Sequence, residues 1–192
     1  MCTEGRELVE ACQLADWELA RELIVKNPRW LWYAEDRDGC SAAYRAASRG
    51  SIRMLEFMLS CINRECAADE EFREQTLIDT FERSNDCYRT PAHAAARSGN
   101  VECLKFLVEV CPSGPAILEE VDISNGHTTA HSAMRNPEML QFIVQHAPSG
   151  KAILDVKDHR GKTPLEVGRT RVKMRAGNYV LPTSEEVPAM DT

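Results

Sequence analysis

One stretch, Thr90-Pro91-Ala92-His93-Ala94-Ala95-Ala96-Arg97-Ser98-Gly99, restricts this chain more than any other. A threonine can cap a helix with its hydroxyl, and a proline at the first helical position loses no hydrogen bond. The alanines that follow favour helix and carry little bulk, so another helix can lie close against them. Gly99 ends the helix by adopting the left-handed conformation. Val101, Leu104, Phe106, Leu107 and Val108 then give a second helix a broad apolar side. Neither helix is long enough to stand alone in water, so the pair must stack on units like itself.

Such units are present. Ser41-Ala42-Ala43-Tyr44-Arg45-Ala46-Ala47-Ser48-Arg49-Gly50 precedes Ile52, Met54, Leu55, Phe57, Met58 and Leu59. Thr128-Thr129-Ala130-His131-Ser132-Ala133 precedes Met139, Leu140, Phe142, Ile143 and Val144, and Thr163-Pro164-Leu165-Glu166-Val167-Gly168 opens a further copy. The anchors Ser41, Thr90, Thr128 and Thr163 lie 49, 38 and 35 residues apart. The pattern resembles that of the ankyrin-repeat family, whose T-P-L-H-x-A signature recurs about every 33 residues, over about residues 5 to 175.

The resemblance implies an all-α solenoid of stacked helix-turn-helix units with hairpin loops. About five repeats are expected, including degenerate terminal caps. Residues 1–35 read as an N-terminal capping repeat, 36–60 as repeat 2, and 85–122 and 123–157 as repeats 3 and 4. Residues 158–176 read as a degenerate last repeat. Residues 177–192 carry acids and prolines without a positive charge, and are expected to be disordered. Asp36-Arg37-Asp38-Gly39, Asn125-Gly126 and Asp158-His159-Arg160-Gly161 should turn the hairpins, each glycine at positive φ. Tyr88 stands where the third hairpin should have glycine, and a different backbone shape is expected there.

Residues 61–84 read as a charged helical insert in this scheme, with seven acids against three arginines for a net −4. Phe72, Leu77, Ile78 and Phe81 would share one side of its helix. Two readings stand for it: a solvated decoration docked on the array, or a protrusion that contacts a partner. The pair Pro112-Ser113-Gly114-Pro115-Ala116-Ile117-Leu118 and Pro148-Ser149-Gly150-Lys151-Ala152-Ile153-Leu154 reads as structural, with Leu118 and Leu154 tucked back. Trp30, Trp32 and Tyr33 have two readings too: rings that cover the end of the core, or an exposed aromatic anchor.

The net charge of −7 argues against nucleic-acid binding. No run of 18 apolar residues exists, so no membrane span is expected. The first residues lack the pattern of a signal peptide. Eight cysteines without a secretion signal suggest reduced thiols and an intracellular location, cytoplasmic or nuclear. No C-x-x-C pair or histidine cluster suggests a metal, and no glycine loop a phosphate cofactor.

His93 and His131 hold the signature histidine position, and the family role there is hydrogen bonding to the neighbouring hairpin. No nucleophile–base pair is evident, so catalytic, cofactor and metal residues are all expected to be none. The family binds partners on its concave face and hairpin tips. Carried over, the outward positions are Arg45, Ser48 and Arg49, then Ala94, Arg97 and Ser98, then Ser132 and Arg135, with Arg169 nearby. A non-enzymatic, monomeric adaptor, scaffold or inhibitor follows, binding a protein partner through this arginine stripe. Tyr88, Trp30 and Trp32 are further contact candidates. The ligand class would be an acidic or phosphorylated segment. Solvated arginines, or arginines paired with the insert's carboxylates, are the bland reading. A cysteine-dependent enzyme using Cys40 or Cys87 and a self-associating subunit are the alternatives.

Overall fold

A computed structural model describes residues 3–173. The inner helices are α1 (Thr3–Leu14), α4 (Ala42–Arg49), α7 (Pro91–Ser98), α9 (Thr129–Ala133) and α11 (Pro164–Lys173). The outer helices are α2 (Trp17–Lys26), α5 (Ile52–Glu65), α8 (Val101–Val110) and α10 (Pro137–His146). Short α3 (Trp30–Tyr33) follows α2, and α6 (Glu70–Leu77) follows α5. Inner helices pack in the order α1, α4, α7, α9, α11, and outer helices in the order α2, α5, α8, α10. The described residues thus form a stacked all-α array, with no extended pairing beyond a single bridge between Glu35 and Ser41.

The sequence signals act as their chemistry dictates. Ser41 Oγ accepts the Tyr44 N–H at 3.1 Å, and Thr90 and Thr128 form reciprocal caps with His93 and His131. Gly50 and Gly99 stop α4 and α7 at φ 71° and 78°. Ala42, Ala43, Ala46 and Ala47 are fully buried, and so is the alanine run of α7, which lets inner helices meet closely. Ala94 belongs to that buried run, at 4 % exposure. Its expected outward position is therefore corrected: the helix faces its neighbour there.

Four fingers connect the repeats, each built on an acidic or amide side chain. Asp36, Asn85 and Asp158 accept backbone N–H groups two and four residues ahead, while Asp122 accepts the Asn125 N–H at 2.6 Å. The expectation of a different shape at Tyr88 is overturned. Tyr88 takes φ 58°, the same left-handed conformation as Gly39 at 68°. Asn85 closes the turn from both sides, and Tyr88 bears the steric cost.

The chain after repeat 2 stays helical. Helix α5 runs on to Glu65, and α6 passes into a π-helical turn over Ile78–Glu82. Its buried side consists of Thr76, Leu77, Thr80 and Phe81. The expectation for Phe72 and Ile78 is corrected: Phe72 is 47 % exposed and Ile78 only partly buried, because the docked face runs through Thr76, Leu77, Thr80 and Phe81 and leaves both at its margins. Phe81 sits four residues before Asn85, as Leu118 and Leu154 sit four before Asp122 and Asp158, and all three are buried. The insert therefore ends by filling the slot that a short 3-10 helix fills in later repeats, over Gly114–Leu118 and Gly150–Asp155.

Trp30 is 3 % exposed, beside Gly5 and Ala34, so it belongs to the core and is corrected as a contact candidate. Trp32 is partly buried and packs on the same core. After α11 the chain leaves the described residues, and the expected disorder over 177–192 lies outside them.

Candidate functional site: a groove lined by arginines

The fingers and inner helices of repeats 2 to 4 enclose a groove of about 310 Å³. Tyr44 from α4, His93 and Arg97 from α7, and Ser132 from α9 form its floor and wall. Arg135 follows α9, while Arg89, Asp122, Asn125 and His127 come from the fingers.

Each side chain is fixed differently. Arg89 donates through Nε to Asp122 Oδ2 at 3.1 Å and approaches Ser124 Oγ at 3.4 Å. Burial alone would raise the Asp122 carboxyl, but the Asn125 N–H and the Arg89 guanidinium hold it below its ordinary value. The single carboxylate of the groove is therefore already neutralised. The His127 ring stacks on His131 at 5.0 Å, and its Nε2 lies 3.4 Å from Asp158 Oδ2. Burial pushes the Tyr44 phenol up.

Arg97 and Arg135 occupy equivalent positions one repeat apart and are exposed. Among the described residues neither makes a hydrogen bond or an ion pair. Two free guanidiniums and a third oriented by Asp122 converge on one concavity. Guanidinium donors in fork geometry suit carboxylate or phosphate oxygens.

The remaining sequence candidates are not brought into this groove. Arg45 is corrected: its Nε donates to Asp36 at 2.8 Å and its other nitrogen reaches Asp38 at 3.4 Å, so it braces its own finger. Its partners belong to the finger, not to the insert. Arg49 donates to the Gln13 carbonyl at 2.7 Å, tying α4 to the first repeat. Arg169 and Tyr88 are exposed but outside the groove, and Trp32 makes a T-shaped contact with Phe72. Arg89, Tyr44 and His127 were missed. Cys40, Arg89, His127 and Lys162 each precede a helix cap, and lining up these finger exits would have pointed to Arg89 and His127.

Cys12, Cys40, Cys61, Cys66, Cys103 and Cys111 are buried and unpaired, and Cys87 is exposed. Burial pushes the Cys12 thiol up to about 12 and that of Cys103 up to about 11. Cys40 is raised as well, by burial first, which suppresses the thiolate a nucleophile needs. No cluster of metal-ligating side chains occurs among the described residues, nor a helix long and apolar enough to cross a membrane.

A family model for ankyrin repeats in three copies matches residues 8–111, more than half of the chain. This chain belongs to the ankyrin-repeat family. The helix pairs α9/α10 and the start of α11 extend the ankyrin array beyond the matched residues. Ankyrin arrays are protein-interaction modules, typically without catalytic activity of their own, and protein partners are implied here. The chain is also similar to a probable E3 ubiquitin-protein ligase, XBOS32, of Oryza sativa subsp. japonica. The two are 28 % identical over 135 residues, which cover 63 % of this chain and 26 % of the rice protein. The chain thus spans about a quarter of that relative's length.

Proposed function

We propose that this ankyrin array is a non-enzymatic adaptor, scaffold or inhibitor. It holds an acidic or phosphorylated segment of a protein partner across Arg97 and Arg135. The observation that carries this reading is the pair of unengaged guanidiniums in a groove whose only carboxylate is taken by Arg89. In a chain of net −7, such a local reversal of charge favours an anionic ligand and speeds its encounter. The preformed stack keeps the ordering cost of binding low.

The protein works as a monomer in the cytoplasm or nucleus on this reading, where buried unpaired thiols stay reduced. The likeness to a probable E3 ubiquitin-protein ligase supports a recruiting role for the array, and the ligase activity is not carried over. A panel of fluorescent peptides, acidic, phosphorylated, neutral and basic, tests the proposal by anisotropy against the full chain. Preference for the anionic peptides, weakened by salt and by Arg97→Glu with Arg135→Glu, supports it. Equal binding across the panel refutes it.

A further inference from the structure

Phe72 stands on α6 with its ring perpendicular to that of Trp32, centroids 6.2 Å apart and planes at 89°. It is 47 % exposed. Buried Thr76 and Leu77 on α6, with the following Phe81, anchor the insert. Phe72 adds a contact to the array at Trp32 and still leaves surface exposed. Asp69, Glu71, Glu74, Gln75 and Ile78 join it around a depression of about 460 Å³. Glu70 is spent on Arg73 at 2.9 Å, and Asp69 caps α6 by accepting the Phe72 N–H at 2.9 Å. Glu71 and Glu74 are exposed and make no hydrogen bond or ion pair among the described residues.

An open aromatic ring between two unneutralised carboxylates offers both contacts that a lysine or arginine side chain accepts: a π face and a counter-charge. We propose that this face docks a basic segment of a protein partner. Its cationic side chains lie over Phe72 and pair with Glu71 and Glu74. Charge complementarity selects this occupant. A nucleic acid is repelled by the same carboxylates, and a second copy of this chain is acidic outside its arginine groove, so self-docking is the contrary outcome that sedimentation reads. This surface is separate from the arginine groove and opposite in sign, so the array has two faces for two kinds of segment.

A fluorescent lysine-rich amphipathic peptide is titrated into the full chain at low and high salt, with circular dichroism confirming each variant's fold. Glu71→Lys with Glu74→Lys is expected to weaken binding about tenfold or more, and Phe72→Ser several-fold. Glu102→Lys with Glu138→Lys changes net charge equally, at exposed sites on α8 and α10, and is expected to change affinity less than about twofold. Arg97→Glu with Arg135→Glu should not weaken binding. If both lysine pairs weaken binding alike, only overall charge is sensed and the inference falls. It falls equally if the wild-type chain does not bind the peptide. Sedimentation supplies the last contrary result: a dimer abolished by Glu71→Lys with Glu74→Lys would assign the face to a second copy.

Discussion

His93 Nε2 lies 3.1 Å from the carbonyl oxygen of His127, one repeat along the stack. A carbonyl only accepts, so Nε2 carries the proton and Nδ1 must accept from the Thr90 N–H and hydroxyl, at 3.4 and 3.0 Å. His131 repeats the arrangement between Thr128 and the Lys162 carbonyl at 3.2 Å. Both rings serve the fold only when neutral. Burial is the main cause that holds both below the ordinary histidine value. The unfolded chain therefore binds protons that the folded chain refuses. Stability is full above the unfolded histidine value of about 6.5 and declines as pH falls below it. Glu120, its carboxyl raised to about 7 by burial first, acts in the opposite direction over the same range, so the histidine share is read by difference: between pH 7.5 and 5.5 the urea midpoint of wild type should fall by more than that of His93→Gln. His93→Ala leaves the His127 carbonyl and the Thr90 donors without their ring partner, and should cost about 1–3 kcal/mol.

The fingers differ in how tightly they are stacked. A side chain at Gly126 would have its Cβ 2.9 Å from the His159 backbone nitrogen, and φ there is 73°. At Gly161 φ is 71° and the space is open. Both alanine variants bear the backbone penalty of about 1 kcal/mol, and Gly126→Ala should lose clearly more. Tyr88→Gly runs the other way, since it relieves a left-handed tyrosine; a gain of up to about 1 kcal/mol is expected. Thermal or urea unfolding of the three variants checks the order.

Asn136 does two jobs at once. Its Oδ1 accepts the Met139 N–H at 3.1 Å, capping α10, and its Nδ2 donates to the Gly99 carbonyl of the preceding repeat at 2.9 Å. Asn100 does the same with Cys103 and Gly50. Asn136→Ala should cost about 2 kcal/mol, cap and junction together. Asn136→Asp keeps the cap acceptor but loses the donor, and should cost less than the alanine variant. Equal losses would show that the cap contributes little beyond the junction bond.

Much of this was legible in the sequence because the repeat chemistry is local. The caps at Ser41, Thr90 and Thr128, the stops at Gly50 and Gly99, and the alanine faces between them read directly as helix pairs that must stack. Tyr88 was misjudged because its own propensity was weighed without the two backbone bonds that Asn85 makes around it. Phe72 and Ile78 were misjudged because apolar side chains alone were counted, whereas Thr76 and Thr80 fill inward positions beside Leu77 and Phe81. At the groove, Arg97 and Arg135 came from the outward positions that the ankyrin resemblance carries over. Arg45 looked equivalent, and only the fold shows that Asp36 and Asp38 already hold it. Arg89 lies outside any helix, where periodicity is silent.

Thiol chemistry separates the adaptor from a cysteine-dependent enzyme. Cys87 is exposed and should react at an ordinary rate in the native protein, while the buried thiols Cys12, Cys40 and Cys103 react only after unfolding. Pulse alkylation read by peptide mass mapping checks this. Unusually fast labelling at Cys40 or Cys87 would favour the enzyme.

The groove itself is tested most directly by one titration: a phosphorylated acidic peptide into the full chain, wild type against Arg97→Glu with Arg135→Glu, at low and physiological salt. An anchoring role predicts binding that weakens with salt and a loss exceeding about 1 kcal/mol for each reversed arginine. Unchanged affinity in the double variant would contradict it.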